Sequence, residues 1–147
     1  MNNEIFISQE KYVSNLLKIW KIGNCKPMST PMNTNEELSV EDGAEKVDAQ
    51  FYRSLVGSLM YLTTTKPDIM HAVGLISRFM QIPSKINFGV AKRILRYVCG
   101  TRNYAIWYTS SNDFGLVGYI DSVWSGSFDD RKSTSDYVFN LGSSAVL

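Results

Sequence analysis

The sequence is poor in the residues that build metal sites and disulfide frameworks. Its 147 residues hold two cysteines, Cys25 and Cys99, neither in a CxxC pair, and a single histidine, His71. Ligands this few disfavour a four-ligand structural zinc and a disulfide-stapled scaffold alike. No stretch approaches the roughly 20 unbroken apolar residues that a membrane-spanning helix requires, so a membrane protein is excluded. The opening MNNEIFISQEKY lacks a basic stretch, an apolar core and a small-residue cleavage site. No secretory signal is therefore expected, and cytoplasm or nucleus is the default location. There is no P-loop, no GxGxxG opening a helix, no HExxH and no GxSxG, which leaves nucleotide-binding and serine-hydrolase readings unsupported. What is present is an ordinary globular composition, 44% hydrophobic and 20% charged, enough for one domain or two small ones sharing an interface.

The formal net charge of +1 conceals an uneven distribution. Residues 36–48 carry six acids (Glu36, Glu37, Glu41, Asp42, Glu45, Asp48) against Lys46 alone. Residues 66–102 carry seven bases (Lys66, Arg78, Lys85, Lys92, Arg93, Arg96, Arg102) against Asp68. Residues 113–136 turn acidic again, with five acids against Arg131 and Lys132. A basic middle between acidic flanks points to a surface that faces a polyanion.

Hydrophobic periodicity organises the chain. Residues 4–7 read as the end of a strand, and Ser8 offers an N-cap to a helix with Tyr12, Leu16, Ile19 and Trp20 on one face, stopping near Gly23. Residues 26–47, with Pro27, Pro31, Asn33, Asn35 and Gly43, read as a long, poorly ordered connection that sets the first helix apart. Three helices follow. Asp48 caps the first, whose face carries Phe51, Tyr52, Leu55, Val56, Leu59 and Leu62. Pro67 opens the second, with Ile69, Val73, Ile76 and Met80 as its stripe. The third begins after Pro83 and Ser84 and runs to Gly100, with Phe88, Ala91, Ile94, Leu95 and Val98 apolar. Beyond Gly100 the period changes from 3.6 to 2, and runs at 104–108, 115–121 and 135–141 predict an antiparallel meander, ended by an apolar run at 145–147. The expected class is α+β, a helical bundle followed by an incomplete antiparallel sheet.

Candidate functional residues lie in both halves. Spacings of seven and four place Lys85, Lys92 and Arg96 on one stripe of the third helix, with Arg93 at its edge. Such a stripe pairs with phosphates recurring along a duplex, or is simply a solvated face. Asp121 ends a strand, where Asp is a poor strand former; it either opens a turn or binds a metal ion, and one carboxylate alone does not make a two-metal site. Asp129 and Asp130, beside Arg131 and Lys132, read as a mixed-charge turn. His71 has no nucleophile beside it and reads as a packed or surface residue. Tyr104, Trp107, Tyr108, Tyr119 and Trp124 read as cross-strand pairs or as a stacking platform for bases.

Taken in order, IFISQEKYVSNLLK (5–18), CKPMSTPM (25–32), YRSLVGSLMYLTTTKPDI (52–69), AKRILRYVCGT (91–101), GYIDSVWSG (118–126) and DDRKSTSDYVFNLG (129–142) resemble the copia-type LTR retrotransposon Pol polyprotein. The resemblance spans nearly the whole chain, from the end of the reverse transcriptase into the start of ribonuclease H. It implies the close of the palm and start of a thumb-like region over 1–25, a linker over 26–47, a thumb-like helical segment over 48–101, and the first part of a ribonuclease H sheet over 102–147. It further implies that Asp121 matches the first ribonuclease H metal ligand and that Mg2+ serves the parent family, while the charge stripe of Lys85, Lys92, Arg93 and Arg96 is expected to hold an RNA–DNA hybrid or other nucleic acid weakly. Several positions depart from the family pattern. Ile120 replaces Ser, Val123 stands at a second Asp, Asp136 at a Gly, Lys66 at an Arg, and Asn87-Phe88 at His-Trp. The polymerase Asp-Asp motif and the later ribonuclease H acids are absent from these residues, so the expected product is a catalytically silent fragment with no stably bound ion. The alternative is a small non-enzymatic module for nucleic-acid or protein binding.

Overall fold

Capping at two short polar residues sets the helical frame. In the computed structural model, which describes residues 4–109, 116–123, 134–141 and 144–146, the Asp48 carboxylate accepts from the Phe51 backbone N–H at 2.7 Å. That bond starts α2, Ala49–Leu62. Ser84 starts α4, Lys85–Gly100, through a reciprocal capping box with Asn87, satisfying two N–H groups that the helix cannot bond internally. Between them Pro67 opens a short 3-10 turn, Pro67–Ile69, that runs into α3, Met70–Ser77. These helices and their buried faces follow the expected periodicity: Tyr52, Leu55, Val56, Leu59 and Leu62 from α2, Ile76 from α3, and Ala91, Ile94, Leu95 and Val98 from α4 join one core. The Tyr52 hydroxyl donates to the Ile76 carbonyl at 2.7 Å inside it, and burial pushes that phenol well above its ordinary range. Phe51, expected on the buried face, is 53% exposed.

The first helix differs from expectation. α1 spans Glu10–Ile19 with Gln9, not Ser8, at its N-cap and no side-chain cap bond. It ends at Trp20 rather than near Gly23, and Lys21 takes a left-handed φ of 56° to turn the chain. Its buried residues are Val13, Leu16 and Leu17, while Ile19 is 72% exposed. The face is rotated because Val13 and Leu17, one turn apart, meet the core.

The connection over 26–47 forms no helix or strand, yet it is packed, and the expectation of poor order is overturned. Leu38 is 2% exposed within the core, and Met32, Val40 and Val47 pack against it. Backbone bonds run from Met28 N–H to the Arg96 carbonyl and from Val47 N–H to the Pro83 carbonyl. At Gly100 an added Cβ would meet the Pro27 ring at 2.9 Å, so a glycine permits that close approach. Nor does the segment set α1 apart, since Val13, Leu16 and Leu17 share the core of α2 and α4.

Strands occupy β1 (Glu4–Ile7), β2 (Ile106–Thr109), β3 (Leu116–Val123), β4 (Thr134–Leu141) and β5 (Ser144–Val146). The α+β class holds, but the expected single meander divides. β2 pairs antiparallel with β1, Glu4 opposite Thr109 and Ile7 opposite Ile106. β3, β4 and β5 form a separate antiparallel sheet in that order. Among the described residues no helix is long and apolar enough to cross a membrane.

Candidate nucleic-acid interface

Helix α4 buries Val90, Ala91, Ile94, Leu95 and Val98, so the cations of the same helix are left on its outer side. Three of the four expected ones stand around a single groove. Lys92, Arg93 and Arg96 form one wall with Ile86, Gly89 and Val90, and Ile22, Cys25, Met28, Asn33 and Glu36 form the other, enclosing about 630 Å3. Arg93 is anchored across it, its Nε donating to the Thr30 carbonyl at 3.3 Å and its Nη2 to the Thr30 hydroxyl at 2.8 Å. The Lys92 ammonium lies 4.9 Å from the centre of the Phe88 ring, a cation–π geometry. Glu36 brings the groove an opposing charge, with one carboxylate oxygen accepting from the Asn33 amide at 2.8 Å.

Lys85 is not part of that wall. It pairs with Glu45, and both side chains remain mostly exposed. This ammonium holds the Glu45 carboxyl below its usual range. The acidic connection also reaches the start of α4, where Asp42 accepts from the Ser84 hydroxyl. That bond, helped by the Ala44 N–H and the Lys46 charge, lowers the Asp42 carboxyl below its usual range against the opposing effect of burial. At the other end of α4 the buried Lys66 ammonium donates to the Thr101 carbonyl at 2.6 Å. Desolvation lowers this group from its ordinary range, partly offset by Asp68.

Spacing along one helix puts these cations on a common side. The opposite wall was not anticipated, because it comes from irregular backbone after α1. The spacing of Phe88 and Lys92, four residues apart, was the one available signal for their contact. His71 lies on α3, half-buried. Tyr104 is 66% exposed, while Trp124, Asp129 and Asp130 fall outside the described residues.

Asp121 lies in β3 with Asp136 directly opposite in register on β4. A two-metal centre needs several carboxylates converging on both ions. Among the described residues no group of three or more His, Cys, Asp or Glu could hold a metal ion.

Comparison with known proteins bears on the whole chain. It is 40% identical to the retrovirus-related Pol polyprotein from transposon RE1 of Arabidopsis thaliana, over 94% of this chain and 9% of that protein. It is 37% identical to the corresponding polyprotein from transposon TNT 1-94 of Nicotiana tabacum, over 99% of this chain and 11% of that protein. An uncharacterized mitochondrial protein of Arabidopsis thaliana, AtMg00810, is 36% identical over 97% of this chain and 59% of its own length. The chain thus spans about a tenth of the length of the transposon polyproteins it matches. No protein-family model matches it, and no solved structure does. Similarity that runs across nearly all of its residues, in proteins of two plants, places the chain in the family of copia-type, retrovirus-related transposon Pol polyproteins.

Proposed function

We propose that the chain is the part of a Pol polyprotein that joins the end of reverse transcriptase to the start of ribonuclease H, and that it holds an RNA–DNA hybrid without performing chemistry by itself. In the parent polyprotein this region serves RNA-directed DNA synthesis and removal of the RNA strand. The observation that carries the reading is the convergence of Lys92, Arg93 and Arg96 on one groove of α4. Cations held on a rigid helix meet phosphates with little ordering cost, and each phosphate neutralised releases counterions. Contacts of this kind fix position and carry no base information, so sequence preference is small. Lys85 contributes at the margin, through a charge already shared with Glu45.

Asp121 keeps, in this reading, the place of a first metal ligand, and Mg2+ acts only where the remaining acids of a complete site are supplied. The test is a titration of the purified chain with an RNA–DNA hybrid at several salt concentrations. Affinity is expected to fall with salt, and replacing Lys92, Arg93 and Arg96 together by Ala is expected to flatten the log–log slope by about 2 to 3. Salt-independent binding contradicts the reading. So does magnesium-dependent cleavage of the hybrid that disappears in Asp121→Asn.

A further inference from the structure

An aromatic cluster lies beside the groove, linked to it through Lys92. Trp20 at the end of α1, Phe51 in the first turn of α2 and Phe88 on α4 bring three rings together from three helices. Trp20 and Phe51 lie 4.7 Å apart between centroids, Phe51 and Phe88 5.6 Å, and Trp20 and Phe88 6.4 Å. Such distances are common in cores, but this cluster is not enclosed. Phe51 is 53% exposed and the adjacent Ile19 72%, while Trp20 and Phe88 are half-buried. The cluster and the groove share a residue, because the Lys92 ammonium that walls the groove also sits over Phe88. Ile22, two residues beyond Trp20 in sequence, also lines the groove.

We infer that this surface receives single-stranded nucleic acid, with phosphates along Lys92, Arg93 and Arg96 and an unpaired base against the exposed ring of Phe51 beside Trp20. A duplex presents its backbone and keeps its bases stacked inside, so it would engage the cations and leave the rings in water. An unpaired strand offers both a phosphate and a free π-face at neighbouring positions, the combination that positively charged grooves edged by aromatic side chains bind. The shared cation selects a polyanion over an apolar protein surface. The phosphate half of this inference rests on the interface proposed above; the base half rests on the rings alone.

The experiment uses the full chain with Trp107→Phe and Trp124→Phe, which leaves Trp20 as the only indole. It is titrated with a thymidine homopolymer of about 12 nucleotides, a length within the range of single-strand sites, and separately with a labelled blunt duplex followed by anisotropy. The homopolymer is expected to quench Trp20 emission saturably, and the duplex to bind without quenching. Phe51→Leu keeps apolar bulk but removes the π-face, and should weaken homopolymer binding about tenfold with duplex affinity unchanged. Phe51→Tyr should bind like the parent. Duplex binding without any homopolymer quenching overturns the inference and leaves the interface standing; loss of both kinds of binding overturns the interface as well. Quenching that grows with protein concentration in the absence of nucleic acid overturns it too, since a second copy then covers the rings.

Discussion

The two ends of α4 are held by charges of opposite sign, each matched to the helix macrodipole but placed in different surroundings. At the N-terminal end the acidic connection supplies Asp42 to Ser84 and Glu45 to Lys85, and the ion pair lies in solvent. At the C-terminal end Lys66, 3% exposed, donates to the carbonyl of Thr101, the C-cap residue. Nearby, the Tyr97 hydroxyl donates to the Asp68 carboxylate. Both arrangements favour the helix electrostatically. Water screens the first and is excluded from the second, so sequence charge alone is a poor guide to which end matters more for stability.

The most damaging way to break this symmetry is at the buried end. Lys66→Ala removes an ammonium and leaves the Thr101 carbonyl without its donor, and is expected to cost roughly 2 to 4 kcal/mol. Urea unfolding should show a lower midpoint with an unchanged slope. Ser84→Ala, which loses the capping box at the other end, is expected to cost about 1 to 2 kcal/mol in the same assay.

A smaller effect sharpens the comparison through pH. The Asp42 carboxyl is lowered in the folded chain by its Ser84 bond, so its contribution is present above the ordinary carboxylate range and is lost as pH falls through the native value. Tyr97 is raised, first by desolvation and then by its bond to Asp68. The native state therefore keeps a proton that the unfolded chain gives up near pH 10, and stability falls as pH rises beyond that point. Lys66 acts against this on the alkaline side, because its lowered native value lets stability rise as pH passes through it towards the unfolded one. The Ser84→Ala penalty should thus shrink in acid, and a Tyr97→Phe penalty should shrink above about pH 10, both read from urea midpoints across the pH range. Smallest of all is Glu45→Gln: its partner Lys85 is largely exposed, and no measurable shift in midpoint is expected. A large shift there would erase the difference between the two ends.

Legibility in the sequence followed the range of the interactions. Asp48, Ser84 and Pro67 act on backbone groups within three residues, and the starts of α2, α4 and the turn before α3 were readable from them. The end of α1 was not, because Gly23 offered a familiar stop signal while the chain turns at Lys21. In the connection, Met32, Leu38, Val40 and Val47 follow no period, so a one-dimensional reading sees loop where Leu38 is core. The pairing of β2 with β1 joins residues about a hundred apart in sequence, and no local pattern encodes it. For the same reason the cations of α4 were visible as a stripe, whereas the groove they wall depends on Ile22, Cys25, Met28, Asn33 and Glu36 arriving from another part of the chain. The Trp20, Phe51 and Phe88 cluster was hidden likewise, since each ring alone looked like part of a buried face.

The ladder between β1 and β2 has a mechanical consequence. Glu4 faces Thr109 at one end and Ile7 faces Ile106 at the other, so the flanking chain leaves from the Glu4–Thr109 end while the helices hang from the Ile7–Ile106 end. Tension applied through the flanks loads the backbone hydrogen bonds one after another, as in a zipper, instead of all together in shear. The ladder therefore opens pair by pair from its Glu4–Thr109 end, each backbone pair bearing the load in turn.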